Sequence, residues 1–541
     1  MRRSVKVAAL ASAAALLAIG ASMTSFAKGW TQEDGEWVWL DSDGERVTEE
    51  FKLSGSKYYW LNEDGVLGSD ELVEYKENHY YVDETGAMVT NQWKEVENDE
   101  DDDDFEDTIW YYFQSSGKAY NSGKKTINGT TYIFDENGKM LFGWIKAEGE
   151  SPVSYSMASK EDETDEWESA VYYAGEANDG AVVTNAWRQI RVYDASPSSS
   201  TFDVGDNDYW FYFGSNGKKL GWDKEVGEVK AKTINGIKYG FAGYDGHMVS
   251  GWTPEAATAS DGVKYYSDAE DGRKITKGWF KVVPSEAIDP DNYEGANNEA
   301  KWFYAKNDGT LEANGIRTVN GKKYLFNQDG ELCTGLYWIA LKNDRKTLVD
   351  DFELDEIDSE ADLDKYTEYG TEYVSNSTSG VYYFATPTDT DAAMKTGTCT
   401  VTVDGESYAF KFETSGTIKG QGVNGPDGNN YYINGRKLKA DSDNKFEIYQ
   451  ANIVNGKVKN LYGEVMTANE IITDGKVDAE DGANGFAVIS STGSIVKSGT
   501  KKDGDDYKIT VSGSAITKFK DSDDNEWTVD GLEVTYKKAT K

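Results

Sequence analysis

The chain is predicted to be all-β: an elongated solenoid of stacked β-hairpin repeats of about 20 residues, with acidic loop insertions and a divergent β C-terminal region. Three observations predict it. The first is a recurring phrase of paired aromatics, a short turn and a glycine. It reads Tyr58-Tyr59-Trp60-Leu61-Asn62-Glu63-Asp64-Gly65, then Tyr80-Tyr81-Val82-Asp83-Glu84-Thr85-Gly86, and returns at Tyr132–Gly138 and Tyr324–Gly330. The second is the period. Gly44, Gly65 and Gly86 are 21 residues apart, as are Gly117 and Gly138, and Gly309 and Gly330; Gly397, Gly416 and Gly435 are 19 apart. The third is the density of strand signals, short runs of aromatic and β-branched residues cut by Gly, Asn and Asp turns, with almost no helical periodicity. Units of this kind bury their apolar faces on their neighbours, so a chain this long can grow by adding repeats rather than globular domains.

Taken in order, the chain opens with Arg2, Arg3 and Lys6, an apolar small-residue run from Val7 to Ala21, and small residues at −3 and −1 in Ser25-Phe26-Ala27. Residues 1–27 are expected to be a signal peptide, cleaved after Ala27, leaving no stable membrane insertion. Residues 28–440 carry the aromatic repeats. Their spacing is broken by acidic stretches at Glu97–Asp107, with nine acids in eleven residues, at Lys160–Glu166 and at Asp350–Asp364. These are expected to be solvated loops on the flank of the stack, since like charges repel and bury almost nothing. Across 441–541 the Tyr-Tyr pairs vanish and Trp527 is the one tryptophan, yet Gly493 and Gly513 repeat 20 apart; this region is read as divergent β repeats or a capping β-domain. The C-terminus shows neither a hydrophobic tail nor a Leu-Pro-x-Thr-Gly signal, so attachment to a cell is expected to be non-covalent.

The net charge is −40, which repels nucleic acid and anionic lipid. It suits an exported protein and would attract cationic groups on a wall polymer, or serve solubility alone. Two cysteines, Cys333 and Cys399, exclude a disulfide scaffold and are left as either a pair or free thiols. Two histidines, His79 and His247, cannot build a His-rich metal site, and no cofactor is expected. Catalysis has no visible carrier: there is no Gly-x-Ser-x-Gly, His-Glu-x-x-His or P-loop, and paired carboxylates arise by chance among 96 acids. Asp521-x-Asp523-x-Asn525 begins like a calcium loop, but Glu526 and Leu532 stand where the turn glycine and the bidentate Glu belong.

A second element completes the phrase: a tryptophan at a strand start, usually after glycine. It occurs at Trp30, Trp93, Trp144, Trp187, Trp222, Trp252 and Trp279, with Tyr337-Trp338 as a variant. Each precedes an aromatic cluster, such as Trp37 and Trp39, Trp110-Tyr111-Tyr112, Trp210-Phe211-Tyr212 or Trp302-Phe303-Tyr304. The segment from Ile127 to Trp144, Ile-Asn-Gly-Thr-Thr-Tyr-Ile-Phe-Asp-Glu-Asn-Gly-Lys-Met-Leu-Phe-Gly-Trp, resembles a whole unit of the choline-binding and glucan-binding repeats of Gram-positive surface proteins, also called cell-wall-binding repeats. The resemblance covers roughly residues 29–440. It implies a solenoid of hairpins with ligand pockets between consecutive units, each taking the Gly-Trp tryptophan, an aromatic of the same hairpin and one from the next. On that pattern Trp30, Trp37 and Tyr59 form the best-matched pocket, and Trp93, Trp110, Trp144, Trp187, Trp210, Trp222, Trp252, Trp279 and Trp302 are further candidates.

Two physical roles compete for these rings. Aromatic faces around a quaternary ammonium give cation–π attraction, and the same faces stack on sugars. In a thin hairpin, however, Tyr and Trp also supply most of the buried area, and the second aromatic of each pair is expected to be core. The expected function is an exported, non-enzymatic protein bound to wall polysaccharide or teichoic acid, with choline as one candidate ligand group. A surface adhesin or scaffold that binds a host or matrix protein is the alternative.

Overall fold

The computed structural model describes residues 28–98, 107–149, 153–158, 166–192, 207–221, 229–268, 270–293, 295–368, 370–385, 391–474 and 477–537. The expected signal peptide (1–27), most of the Glu97–Asp107 and Lys160–Glu166 stretches, and Trp222 lie outside them. The chain forms two compact units, Met1–Glu255 with Tyr265–Lys274, and Ala256–Lys264 with Ile275–Lys541. Both are built from small antiparallel sheets, as the sequence predicts.

The repeating hairpin is written in local turn chemistry. Within the hairpin, Asp34-Gly35, Asn128-Gly129, Asn235-Gly236 and Asn320-Gly321 all take positive φ at both residues (53° and 93° for the first), the type I′ geometry that matches strand twist. After the hairpin comes a second turn opened by Asp or Asn. Asp83 Oδ1 accepts from the amides of Thr85 and Ala87 at 2.9 and 3.1 Å, and Asn62, Asp135 and Asn327 do the same two and four residues on. The closing glycine of this turn has positive φ, 78° at Gly86, and a Cβ there would lie 2.5 Å from Leu67 Cδ1 of the preceding repeat. Glycine is therefore required twice over, by its backbone and by the close stacking of units.

Successive hairpins in the first unit are stitched by one backbone bond each. Leu67 donates to Trp37 O, Met88 to Tyr58 O, Ala119 to His79 O, Met140 to Trp110 O, Val182 to Thr131 O, Lys219 to Val171 O and Met248 to Trp210 O, all at 2.7–2.9 Å. Side chains alternate with period two across each strand. In Thr108–Phe113, Ile109, Tyr111 and Phe113 are buried while Trp110 and Tyr112 are half-exposed. Phe211 and Phe213 are likewise buried beside half-exposed Trp210 and Tyr212, and Phe303 is buried between exposed Trp302 and half-buried Tyr304. One face of each such hairpin thus supplies the core and the other carries a spare row of rings.

The insertions fall inside the hairpin turn and leave the strand register intact. Gln92–Glu97 pairs with Thr108–Phe113, Ala186–Val192 with Asn207–Phe213, and Gly278–Val282 with Lys301–Ala305, so Trp93 faces Tyr112, Trp187 faces Tyr212 and Trp279 faces Tyr304. At the base of the acidic insertion Asn98 N donates to Asp107 O at 2.9 Å. Replacing residues 99–106 by Asn-Gly should therefore change stability by less than about 1 kcal/mol, because loop length costs little once the ends are paired. Thermal unfolding with and without calcium tests this; a large calcium-dependent gain confined to the intact chain would instead make the insertion a metal site.

The Asp350–Asp364 stretch corrects the expectation of a solvated loop. Asp355–Glu356 pairs with Gly335–Ala340, and Glu360–Thr367 is a helix capped by Ser359, whose Oγ accepts from Asp362 N at 3.2 Å. Leu363, Tyr366 and Thr367 bury its apolar stripe against Trp338 and Tyr383. A shorter helix, Glu166–Ser169, ends the second stretch with Trp167 buried. Cys333 and Cys399 are both free thiols, each pushed up by burial, to about 12 and about 11. Residues 441–541 build broader sheets: Phe446–Val454 lies between Lys457–Met466 and Gly485–Ser490, and a five-stranded meander runs from Gly499–Lys502 to Glu533–Lys537. Ile448, Ile471, Phe486, Val488, Ile509 and Phe519 form its core, replacing the aromatic pairs of the earlier repeats.

Candidate aromatic binding sites

The spare rows of rings meet the next hairpin to form aromatic cages of one recurring geometry. Trp93 stands 5.2 Å from Tyr112 of its own hairpin and 4.8 Å from Tyr132 of the next, both edge-on, and stacks on Phe134 at 5.9 Å. Trp187 repeats this with Tyr212 at 5.1 Å, Tyr239 at 4.9 Å and Phe241 at 5.7 Å. Trp279 does so again with Tyr304 at 5.1 Å, Tyr324 at 4.9 Å and Phe326 at 5.8 Å. The copies agree within 0.2 Å although the loops inside their hairpins differ in length. Trp110 and Trp210 each complete a fourth wall 6.5 Å from the cage tryptophan. Trp302 holds the equivalent strand position and is 40% exposed.

The N-terminal cage is a variant. Trp30 contacts Trp39 at 5.2 Å and Tyr59 at 5.5 Å, both edge-on. Trp37, expected beside Trp30, pairs with Gln32 one step further along the same face, and the ring meeting Trp30 within the hairpin is Trp39. Trp144 contacts Tyr173 at 5.1 Å and Phe211 at 4.9 Å, with Trp167 of the short helix at 6.2 Å. Trp252 differs again: it is buried, with Tyr265 at 5.0 Å. The sequence reading of the site omitted Trp39, Tyr112, Tyr132, Tyr173, Tyr212, Tyr239, Tyr304 and Tyr324. For Tyr112, Tyr212 and Tyr304 the signal was the period-two alternation that puts the outer residues of a Trp-x-Tyr triplet on one face. Tyr173 shows the consequence, since the second aromatic of its pair lines a cage while Tyr172 is buried.

The cage walls combine flat faces with unspent hydrogen-bond donors. The indole Nε1 atoms of Trp30, Trp37, Trp39, Trp110 and Trp210 are buried and have no acceptor among the described residues. An unmatched buried donor costs roughly 1–3 kcal/mol, a cost these rings carry within the fold; with the nitrogens buried, the walls offer a ligand their faces. Burial, with Asp83 nearby, pushes the Tyr59 hydroxyl above its usual range, and burial followed by Glu176 does the same at Tyr173. Both phenols are neutral at physiological pH and present rings rather than charge.

The family model for the choline-binding type of cell wall binding repeat matches residues 105–119 and 317–332. Over 227 residues the chain is 27% identical to glucosyltransferase-S of Streptococcus mutans, covering 42% of this chain and 12% of that protein. It is 23% identical to glucosyltransferase-I of Streptococcus downei over the same shares, so the chain spans about an eighth of the length of these curated relatives. Among solved structures, choline binding protein F of Streptococcus pneumoniae aligns at 17% identity and TM-score 0.32, covering 77% of this chain and 100% of that one. The modular autolysin LytC of Streptococcus pneumoniae, in complex with a synthetic peptidoglycan ligand, aligns at 17% identity and TM-score 0.30, covering 58% and 55%. Each of the two compact units thus contains a segment that matches the cell wall binding repeat.

Proposed function

We propose that this is an exported, non-catalytic protein that attaches non-covalently to cell-wall polymers, choline-bearing teichoic acid or glycan, through the aromatic cages between its hairpins. The observation that carries the reading is the repetition of one half-buried ring cluster at Trp93, Trp187 and Trp279, with the fully buried rings of the same strands on the opposite face. Rings needed only for burial would not have to keep the same mutual geometry on the exposed face across insertions of different length. The flat ring faces favour a polymer whose sugar rings stack on them, to which a cationic substituent adds cation–π attraction. The stretch similar to this chain makes up 12% of each of the two glucosyltransferases, which fits a binding role beside their main activity.

Sedimentation with purified Gram-positive walls, with and without free choline, tests the proposal. The mature protein is expected in the wall pellet. Release by choline would identify the quaternary ammonium as the ligand group, and retention in choline would identify the glycan. A protein that stays in the supernatant would overturn the reading in favour of an adhesin. Trp30→Ala, which removes the ring between Trp39 and Tyr59, should weaken wall binding by about 1–2 kcal/mol. Thermal unfolding of the same variant separates this from a core defect: a large drop in melting temperature without a separable binding defect would return Trp30 to the core.

A further inference from the structure

One cage is built differently at its floor. In the regular cages the residue bridged to the last phenylalanine of the hairpin is apolar: Met140 opposite Phe134, Met248 opposite Phe241 and Leu332 opposite Phe326. These side chains pack beneath Trp93, Trp187 and Trp279. Opposite Phe213, in the Trp144 cage, the same position is Lys219, which is only 5% exposed. Its Nζ lies 5.0 Å from the Trp144 ring centre, 5.8 Å from Phe211 and 5.9 Å from Trp167. It donates to the carbonyls of Trp167 at 3.2 Å and Glu168 at 3.0 Å. The stem is packed under the next turn, where a Cβ on Gly246 would lie 3.1 Å from Lys219 Cγ. A methionine would fill this space without leaving a charge to desolvate, so the lysine is conspicuous for its head group, and that head group has three aromatic faces around it.

We propose that Lys219 is a built-in ligand of the Trp144 cage, its ammonium holding the place that an external cation would take and closing this cage while the Met- and Leu-floored cages stay open. The closure rests on the cationic form of the function proposed above; the internal contact does not. Burial lowers the pKa of Lys219 to about 7, against two carboxylates that favour its charge: Asp245, fully buried and 2.8 Å from His247 Nδ1, and Glu168. The experiments therefore belong at pH 6, where the amine is charged.

Lys219→Ala removes the internal cation and leaves a cation-sized gap. Methylammonium chloride at 100 mM should raise the melting temperature of this variant by about 2–4 °C more than sodium chloride does, with no such difference in the wild type. If the alanine variant does not fold alone, recovery of folding yield by methylammonium reads the same contact. Equal effects of the two salts would overturn the internal ligand, whatever the wild type does with choline. Lys219→Met, which installs the floor of the other cages, should bind one more choline per chain by titration calorimetry, and Trp144→Ala in that background should abolish the gain. An unchanged stoichiometry would overturn the closure. A wild type that binds no choline would instead refute the cationic form of the proposed function, and the methylammonium comparison alone would then decide the role of Lys219.

Discussion

Gly422→Ala is expected to destabilise the second unit by about 3 kcal/mol or more, because the new methyl group would meet backbone that cannot move. A Cβ at Gly422 would lie 2.3 Å from Asn434 O, 2.4 Å from Asn434 C and 2.7 Å from Gly435 N. That turn is held from both sides. Asn434 is 1% exposed, and its Nδ2 donates to the carbonyls of Tyr366 and Tyr373. Its Oδ1 accepts from Ser375 Oγ at 2.6 Å and Asn424 Nδ2 at 3.1 Å, while its own amide donates to Asn424 Oδ1 at 2.8 Å. Gly422 cannot retreat either, since its amide donates to Val381 O at 2.7 Å. Gly405, in a hairpin of the same sheet, is the control: its φ is 82° but a Cβ there meets nothing within 4 Å, so alanine costs only the left-handed strain of about 1–2 kcal/mol. Denaturant unfolding of the two variants should show the larger midpoint loss at Gly422; equal losses would mean that the Asn434 turn yields.

What was legible in the sequence is what local chemistry determines. The Asp or Asn that opens each turn and the glycine that closes it act within five residues, so the period and the hairpins could be read directly. The contents of a cage could not, because they depend on strand register across the turn. Trp37 and Trp39 are two pairs apart on the same face, and only the register places Trp39 opposite Trp30. The helix Glu360–Thr367 was hidden for another reason. Its sequence is acid-rich and reads as solvated, but Leu363, Tyr366 and Thr367 fall on one helical face and find a ready apolar surface at Trp338. Lys219 was hidden by residue type, since a lysine reads as surface. Its signal was positional: it occupies the place held by Met140 and Met248 in neighbouring repeats.

The second large effect concerns wall binding. Changing Trp110, Trp210 and Trp302 to alanine together should lower wall retention by roughly 10²–10⁴-fold while the fold persists. These rings lie on the spare face. The residues beside them in sequence, Tyr111, Phe211 and Phe303, are 3%, 0% and 0% exposed and hold the core, whereas Trp302 is 40% exposed and Trp110 and Trp210 are half-buried. Removing Trp110 and Trp210 takes one wall from each of two cages, and removing Trp302 takes the exposed ring at the equivalent position of the third hairpin, at about 1–2 kcal/mol of ligand contact apiece. A polymer that engages several cages at once converts these separate losses into a product, because each bound cage raises the effective concentration at the next. Phe303→Ala provides the contrast: it should cost about 3–5 kcal/mol of stability, as expected for a fully buried ring, and would reduce binding only through unfolding. The measurements are sedimentation with purified walls and denaturant unfolding on the same preparations. A triple variant that stays folded and binds walls within about twofold of the wild type would show that these tryptophans are not the ligand surface, since even one lost contact of this size exceeds that factor.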